Sequence, residues 1–520
     1  MGTLWYKKVK EFKSPIRVVA AVLLRSRETQ KSRVCELNQR IAELESQGAQ
    51  QPQQQLEEQR QRMEVLQQRA VEAERQRDQA RQSVHLPEDP PLGTHGYGAR
   101  MISLAVNVAR SVGIRGAVRA LEVFFQWLGV EQAIPGRTSI RNWLQRLGID
   151  ELKRPADFPE SLVIMADHSS QIGPEKVMLA LGVNAAAIPA PGKALTHEDV
   201  RVLAVKPGDS WKTADMEREY EALADRHGTP RAVLVDGAVE LREGAQCLKK
   251  RRADMLVLRD FKHYAANVVK SLIGNDERFQ EVSGKVGSTR SSIQQTELAH
   301  LTPPGPKPKS RFMNLSRTLA WLSMILWLLR NPEAKARAGI CDERIEEKLG
   351  WVEEYGNAIA VWQECQDVVS ASVTFINQQG LFRGASGELR AVIGEELEHE
   401  MSKDLARRLV DFVAESEALL REGERLPMST EILESSFGLY KQLEGQHSKS
   451  GFTSLLACLP ALLKPTTPEG VMAAFARTAA KDVALWAKEH FPSTVTSRRH
   501  AAYAEHQSAV KRATAEAATP

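Results

Sequence analysis

The sequence predicts a multidomain protein that combines all-α regions with one α/β domain. Its length of 520 residues exceeds one ordinary core and indicates several domains. Short apolar runs of β type alternate with amphipathic segments between residues 161 and 270, which predicts a mixed sheet with helices on its faces. The regions before and after this segment show helical spacing. We therefore expect helical N-terminal regions, then a mixed sheet that is interrupted by a large all-α insertion before its last helix.

The composition sets few limits on function. Hydrophobic residues make up 42% of the chain, enough for globular cores, and the net charge is +4. A charge this small permits nucleic-acid binding without arguing for it, because a local basic patch matters more than the total. The cysteines are scattered and show no C-x-x-C spacing, which indicates reduced thiols and gives no zinc site.

No export or membrane segment is predicted. The most apolar helix, at residues 315–329, contains Arg317 and is shorter than the roughly 20 residues that span a bilayer. No small-residue cleavage site follows the apolar run at residues 18–24. We expect a cytoplasmic protein that does not bind a membrane.

Residues 1–84 predict a helical region with a short, interrupted coiled coil. Ser14 can cap a helix whose first position is Pro15. Apolar residues at helical or heptad spacing follow, namely Leu37, Ile41, Leu44, Leu56, Met63, Leu66, Ala70 and Ala73. This stripe favours a dimer or a partner helix, and a single solvated helix is the alternative. A linker rich in proline and glycine, residues 85–98, ends the region.

Residues 99–155 predict a helix-turn-helix DNA-binding domain. A turn through Gly129 and Pro135 leads to a helix that Thr138 or Ser139 can cap. The residues that face inward from this last helix are Ile140, Trp143, Leu144 and Leu147. Its basic residues remain for phosphates or base edges in the major groove, and they are Arg137, Arg141 and Arg146. Helical hairpins with arginines are common, so a purely structural block is the alternative.

Residues 156–270 predict the first part of the α/β domain. The candidate strands are residues 161–167, 176–184, 200–205, 231–235 and 254–259. Amphipathic helices are expected near residues 213–227 and 238–250. Three early strands followed by parallel crossovers fit a mixed sheet with helices on its faces. The order β-β-β-α-β-α-β is that of ribonuclease H-like domains.

Residues 271–428 predict a helical insertion domain, residues 429–465 a final helix of the core, and residues 466–520 a helical tail. The insertion contains a proline-rich loop whose basic residues are candidates for DNA contact, namely Lys307, Lys309 and Arg311. A solvated charged loop is an equally good reading. The tryptophans Trp321 and Trp327 lie in an apolar helix and are expected to pack in a core.

Three carboxylates carry the strongest functional signal. Asp167 and Asp236 each close an apolar run of β type, and Glu434 lies on a much later helix. The interval from Asp167 to Asp236 is what three strands and a helix require, whereas the interval to Glu434 needs an inserted domain. Three acids placed in this way suit a two-metal phosphoryl-transfer centre. An aspartate at a strand end is often only a turn or helix cap, and Glu431 and Glu444 are alternatives to Glu434.

The chain resembles bacterial insertion-sequence transposases of the DDE superfamily, which have a ribonuclease H-like catalytic domain with a helical insertion. The resemblance covers roughly residues 100–450. It rests on four motifs: Ala166-Asp167-His168, Leu234-Val-Asp236-Gly237, Leu258-Arg-Asp260-Phe-Lys-His263 and Leu433-Glu434-Ser-Ser-Phe-Gly-Leu-Tyr-Lys441. The last is the most specific, because Glu434 and Lys441 are two turns apart on one helical face.

The resemblance implies metal-dependent phosphodiester cleavage at transposon ends, followed by strand transfer into target DNA. Asp167, Asp236 and Glu434 would hold two Mg²⁺ ions about 4 Å apart, with Mn²⁺ as a substitute. Lys441 would contact the DNA backbone. The expected partners are the double-stranded terminal inverted repeats, the target DNA and further copies of the chain, in a dimer or higher oligomer. The expected location is the bacterial cytoplasm, in association with the nucleoid.

Asp260 and His263 follow the fifth predicted strand as candidate accessory residues. A structural cap or a DNA contact is favoured there over metal ligation, and strand alternation should turn His168 away from the face of Asp167. Two other functions are left open. One is a catalytically inactive DNA-binding or assembly protein derived from a transposase, and the other is a stand-alone ribonuclease H-like nuclease.

Overall fold

The structure is a computed structural model. The residues it describes are 15–46, 53–82, 87–93, 95–158, 161–170, 175–188, 191–208, 210–305, 312, 315–337, 342–445, 452–491 and 495–517. Within them the protein is mostly helical and contains one mixed five-stranded sheet. The chain divides into two compact units, one formed by Met1–Glu88 with Val123–Gln132 and the other by Asp89–Glu122 with Ala133–Pro520.

The first unit contains two long helices where the apolar stripe predicted them. Helix α1 spans Pro15–Ser46 and helix α2 spans Gln53–Gln82. Three apolar side chains of α2 are exposed to solvent, namely Val65, Leu66 and Val71. Coiled-coil pairing with a second chain stays a prediction.

Helix α3, Ala99–Leu128, begins in the second unit and ends in the first. Gly113 interrupts it with φ 76° and ψ 167°, a conformation that only glycine adopts readily. Among the described residues, this is the helix long and apolar enough to cross a membrane by length and composition, and half of its most apolar window is buried within the protein. The apolar helix singled out in the sequence, α9 (Leu315–Arg330), packs its leucines inside the protein.

Helix α4, Arg137–Lys153, has Gly136 as its N-cap without a side-chain cap, so the capping role predicted for Thr138 or Ser139 is wrong. The four predicted inward residues are buried as expected: Ile140, Trp143, Leu144 and Leu147. The helix packs on the 3₁₀ helix Ser454–Cys458 and on three further helices, α16 Leu459–Leu463, α17 Pro468–Arg477 and α18 Ala480–His490.

The contacts of α4 with these helices are close and specific. A Cβ atom at Gly148 would meet the carbonyl oxygen of Ala457, so only glycine allows this approach. Asp150 is buried and accepts two hydrogen bonds of 2.9 and 2.7 Å from Arg477. Helices α17 and α18, which lie within the predicted tail at residues 466–520, therefore pack against the helix that was predicted to read DNA.

The predicted mixed sheet is confirmed. Its strands are β1 Leu162–Ser170, β2 Lys176–Asn184, β3 Val200–Gly208, β4 Ala232–Val235 and β5 Leu256–Arg259, in the order β3-β2-β1-β4-β5. Strand β2 is antiparallel to β1 and β3, whereas β1, β4 and β5 are parallel. Strand β1 continues past Asp167, where the sequence predicted its end, because it pairs with β2 as far as Ser170.

Helices α5 (Thr213–His227) and α6 (Val239–Arg251) cover one face of the sheet. The apolar core on that face includes Ile164 and Ala166 from β1, Tyr220 from α5 and Leu241 from α6. Because side chains alternate along a strand, Asp167 points to the opposite face. Helix α15, Glu431–Glu444, packs against β1.

Between β5 and α15 the chain forms helices that pack on one another. They are α7 Phe261–Ile273, α8 Glu277–Ile293, α9, α10 Pro332–Arg337, α11 Asp342–Leu349, α12 Gly356–Gln379, α13 Ala385–Ile393 and α14 Glu400–Glu417. A two-stranded ribbon of β6 (Leu381–Phe382) and β7 (Arg425–Leu426) precedes α15, and helix α19 (Val495–Ala517) follows α18. Helices α12 and α14 both contact α7.

The tryptophans of this region differ from one another. Trp321 is buried and donates a hydrogen bond of 2.8 Å to the carbonyl oxygen of Leu301, as expected for core packing. Trp327 is 59% exposed, so its predicted core role is wrong. Both lie on α9, which is apolar on most of its faces, so the sequence does not show which face stays exposed to solvent.

Candidate active site

Asp167 and Asp236 meet at one edge of the sheet. The parallel pairing of β1 with β4 ends at Ala166 and Val235, and each aspartate is the next residue in its strand direction. The Oδ1 atom of Asp236 accepts a hydrogen bond of 2.8 Å from the backbone N–H of Ala238, and Gly237 turns the chain with φ 102°. Asp236 therefore closes a turn into α6 and also lies beside Asp167.

The acids at this edge act on one another electrostatically. Burial and the neighbouring carboxylate of Asp236 raise the pKa of Asp167 to about 7, and Glu434 adds to the rise. A 2.6 Å hydrogen bond from the backbone N–H of His168 and the positive charge of His263 act in the opposite direction. Asp167, Asp236 and Glu434 thus contribute to one region of negative potential.

Asp260 connects the end of β5 with the start of α15. It is only 1% exposed, and its Oδ2 atom accepts hydrogen bonds from the backbone N–H (2.6 Å) and the hydroxyl (2.9 Å) of Thr430, the N-cap of α15. Its Oδ1 atom caps α7 by accepting from the N–H of His263 at 2.6 Å. Burial raises the pKa of Asp260, but the hydrogen bonds from His263 and Thr430 outweigh it, so the pKa is lowered. These contacts give Asp260 the capping role that the sequence favoured.

His263 contacts Asp260 and interacts electrostatically with the two strand-end aspartates. Its Nδ1 atom is 2.8 Å from Oδ1 of Asp260. Burial lowers the pKa of His263, but the hydrogen bond to Asp260 and the charges of Asp236 and Asp167 outweigh it, so the net shift is upward. The imidazolium form of His263 is therefore favoured beside the acidic edge.

Glu434 lies in the first turn of α15 and forms an ion pair with a residue that sequence reasoning missed, Lys262. The Nζ atom of Lys262 is 3.3 Å from Oε2 of Glu434 and 2.8 Å from Oε1 of Glu431. The other carboxylate oxygen of Glu431 accepts a 2.6 Å hydrogen bond from Asn377. Lys262 stands inside the motif at residues 258–263, but nothing in the sequence shows that it lies against α15.

The sequence offers two other glutamates as alternatives to Glu434, namely Glu431 and Glu444. Glu434 is among the charges that raise the pKa of Asp167, whereas Glu431 is held by Lys262 and Asn377. Glu444 lies at the far end of α15 and accepts a 3.1 Å hydrogen bond from the hydroxyl of Tyr440. These placements favour Glu434 as the third acid.

The chemistry of the three acids fits a hard divalent cation. Carboxylate oxygens are the ligands that Mg²⁺ and Mn²⁺ prefer, and a cation would relieve the repulsion that raises the pKa of Asp167. Yet within the described ranges no three His, Cys, Asp or Glu side chains are close enough together to hold a metal ion. Asp236 and Glu434 therefore act electrostatically on Asp167, but the three carboxylates do not form a ligand cluster in the described part of the chain, and Glu434 is paired with Lys262.

His168 lies on the other face of the sheet, as strand alternation predicted. It is stacked on Trp211 with ring centroids 5.5 Å apart, and its Nδ1 atom is 3.6 Å from Oε1 of Glu240. Burial lowers the pKa of His168 to about 4, although Glu240 opposes this shift. A neutral, stacked imidazole in this position packs between the strand and the helices.

The basic residues predicted to bind DNA lie in different environments. Arg137 and Arg141 are exposed and line one surface groove with Thr138 and Arg115, a residue of α3 that the sequence did not single out. We call this set the arginine groove. Lys441 is exposed on α15. The predicted contacts at Lys307, Lys309 and Arg311 lie outside the described residues.

Arg146 forms hydrogen bonds and a ring contact within the protein. Its guanidinium donates to the carbonyl oxygens of Phe475, at 2.6 Å, and of Thr478, and it lies 3.9 Å from the centre of the Phe475 ring. These partners replace the phosphates or bases that the sequence predicted for Arg146. Sequence spacing placed it on the open face of α4, but α17 and α18 cover that part of the helix.

No family model matches the sequence, and no curated protein matches it. Among solved structures, the chain is similar to one from the Drosophila P element transposase strand transfer complex, with a TM-score of 0.36 and 12% sequence identity. The similarity covers 71% of this chain and 92% of that chain. Similarity at this level does not establish a family.

Proposed function

We propose that the protein is a DNA transposase of the DDE type, which cleaves phosphodiester bonds at the ends of a mobile element and joins them to target DNA. One observation carries the proposal. Asp236 and Glu434 both act electrostatically on Asp167, near the edge where β1 and β4 end and α15 packs on the sheet. The sheet order β3-β2-β1-β4-β5 agrees with a ribonuclease H-like catalytic domain.

In this proposal Asp167, Asp236 and Glu434 would hold Mg²⁺ or Mn²⁺ ions. Two such ions would activate a water or a 3′-hydroxyl and would stabilise the leaving oxygen. Asp167 would be a ligand together with the other two acids, because the charges of Asp236 and Glu434 already act on its carboxylate. Asp260 fixes the first turn of α15, and through it the position of Glu434.

The basic surface residues supply the contacts to DNA in the same proposal. Arg115, Arg137 and Arg141 form a groove that can follow a phosphate backbone, and Lys441 lies two turns along α15 from Glu434. The exposed apolar residues Val65, Leu66 and Val71 of α2 are suited to pairing two copies of the chain, which end synapsis requires.

The test is a cleavage and joining assay on DNA that carries the terminal repeats flanking the gene, with Mg²⁺ or Mn²⁺. We expect the wild type to cleave and join, and Asp167→Asn or Asp236→Asn to lower the rate at least about 100-fold, since each removes several kcal/mol of transition-state stabilisation. Glu444→Gln, at the far end of α15, is the matched control and should retain cleavage. Full cleavage by both aspartate variants would contradict the proposal.

A catalytically inactive DNA-binding protein is the second candidate. The observation that favours it is the ion pair between the Glu434 carboxylate and Lys262. Among the described residues, Glu434 does not form a metal-ligand cluster with the aspartates. Tight binding to the terminal repeats by a wild type that cannot cleave them, with either metal, would support this candidate. Metal-dependent cleavage by the purified protein would exclude it.

A further inference from the structure

We propose that Lys262 is a positioning residue that holds the Glu434 side chain beside Glu431. It releases Glu434 when the carboxylates of Asp167, Asp236 and Glu434 come together. This inference rests on the proposed function. It accounts for two findings taken together. Asp236 and Glu434 act electrostatically on Asp167, yet in the described part of the chain the three acids do not form a cluster that could hold a metal ion.

The position of Lys262 is fixed by its neighbours in the chain. It lies in the first turn of α7, between the cap residue Asp260 and His263, which interacts electrostatically with the strand-end aspartates. Asp260 also binds Thr430 at the start of α15. The Lys262 ammonium is therefore held opposite the first turn of α15, where Glu431 and Glu434 lie one turn apart on the same helical face.

The two glutamates are not equivalent partners. Glu431 is closer to the Lys262 Nζ atom, at 2.8 Å, and Asn377 holds its other oxygen at 2.6 Å. Glu434 is 3.3 Å from Nζ, and its side chain is 44% exposed. An ion pair that is this open to solvent is weak, so Glu434 can leave Lys262 at little cost while Glu431 continues to neutralise the ammonium.

Space for this movement exists beside the ion pair. An open cleft is lined by Leu195, Lys262, Ile432 and Ser435, together with both glutamates. Because Glu434 borders this open space, the proposal has it leave Lys262 by a change of rotamer. The glutamate at position 431 is the permanent partner of Lys262, and Glu434 is the exchangeable one.

The inference is tested by Mn²⁺ binding to the full-length protein without DNA, measured from the electron paramagnetic resonance signal of free Mn²⁺. The decisive variant is Lys262→Met with Glu431→Gln, because it removes one positive and one negative charge and leaves the net charge unchanged. We expect it to bind Mn²⁺ about two- to fivefold more tightly than the wild type, the effect of removing one weak ion pair. Adding Glu434→Gln should abolish this gain, since Glu434 is the residue set free.

The matched control is Lys348→Met with Glu347→Gln, a charge-neutral change at an ion pair on α11. It should leave Mn²⁺ affinity unchanged. Equal Mn²⁺ affinity in the wild type and the Lys262/Glu431 double variant would overturn the inference, provided both give the same thermal unfolding transition. If the methionine variant does not fold, Lys262→Gln replaces it in the same comparison.

Failure of the metal site itself gives a different result. If Asp167→Asn leaves Mn²⁺ affinity at the wild-type value, the proposed metal site is absent and the role of Lys262 falls with it. If Asp167→Asn abolishes Mn²⁺ binding while the double variant matches the wild type, only the role of Lys262 is overturned.

Discussion

At the residue scale, the folded state disfavours ionisation of the Asp167 carboxyl. Its carboxyl has a pKa of about 7 in the folded protein, against an ordinary value of 3.8, because of burial and the carboxylate of Asp236. Below the unfolded pKa both states are protonated, and the residue does not change stability. As the pH rises from about 4 to about 7, the unfolded state loses its proton first, and the folded state becomes relatively less stable.

This gives a prediction for the metal-free protein. Asp167→Asn should raise the free energy of unfolding by about 1–3 kcal/mol at pH 8, and the gain should shrink as the pH falls toward 4.5. The measurement is urea unfolding of both proteins at the two pH values in the presence of a chelator. An equal difference at pH 4.5 and pH 8 would show that Asp167 does not have a raised pKa.

Asp260 has the opposite balance, because hydrogen bonds to its carboxylate outweigh burial and lower its pKa. Asp260→Ala should lower the free energy of unfolding by about 2–4 kcal/mol, since the buried N–H and hydroxyl of Thr430 lose their acceptor. Chemical denaturation measures this loss.

Asp276 provides the control for Asp260, because it also caps a helix, α8, by accepting a hydrogen bond from the backbone N–H of Arg278 in that same helix. Asp276→Ala should lower the free energy of unfolding by about 1 kcal/mol. Similar losses in the two variants would mean that the link from β5 to α15 adds nothing to an ordinary cap.

At the element scale, α4 is a packed helix that leaves one end open. Its middle is covered by α17 and α18, whereas Arg137 and Arg141 near its start join Arg115 of α3 in the arginine groove. Changing any one of these three arginines to Ala should weaken binding to terminal-repeat DNA. It should also reduce the slope of log affinity against log salt by about 1.

Two variants separate this effect from general changes in charge or folding. Arg390→Ala removes an exposed arginine from α13 and should leave the salt slope unchanged. Arg146→Ala should lower stability instead, because it leaves the carbonyl oxygens of Phe475 and Thr478 without their donor. Equal slopes in the wild type and all three groove variants would contradict a DNA-binding role for the groove.

The elements were predictable where local patterns decide them. All five strands of the sheet were found within a few residues, because each is an apolar run bounded by turn residues. The extension of β1 past Asp167 was missed, since it depends on pairing with β2 alone. The exposure of Trp327 and the internal partners of Arg146 were also missed, because each depends on which distant helix packs nearby.

At the scale of the whole molecule, a few tertiary contacts connect the end of the helical region between β5 and α15 to the sheet. Asp260 binds Thr430, and Arg231 beside β4 pairs with Glu424 through bonds of 2.6 and 2.9 Å. The spacing of the three acids predicted that such a return must occur. It could not identify Asp260, Arg231 or Lys262 as the residues that bring it about, because their partners are more than 150 residues away.

The central claim is that the acid on α15 completes a catalytic site with the two strand-end aspartates. It is tested most directly by Mn²⁺-dependent cleavage of terminal-repeat DNA, comparing Glu434→Gln with Glu431→Gln. Both variants lose one carboxylate from the same turn of the same helix. We predict that Glu434→Gln lowers cleavage at least about 100-fold while Glu431→Gln retains it. Wild-type cleavage by Glu434→Gln would contradict the account.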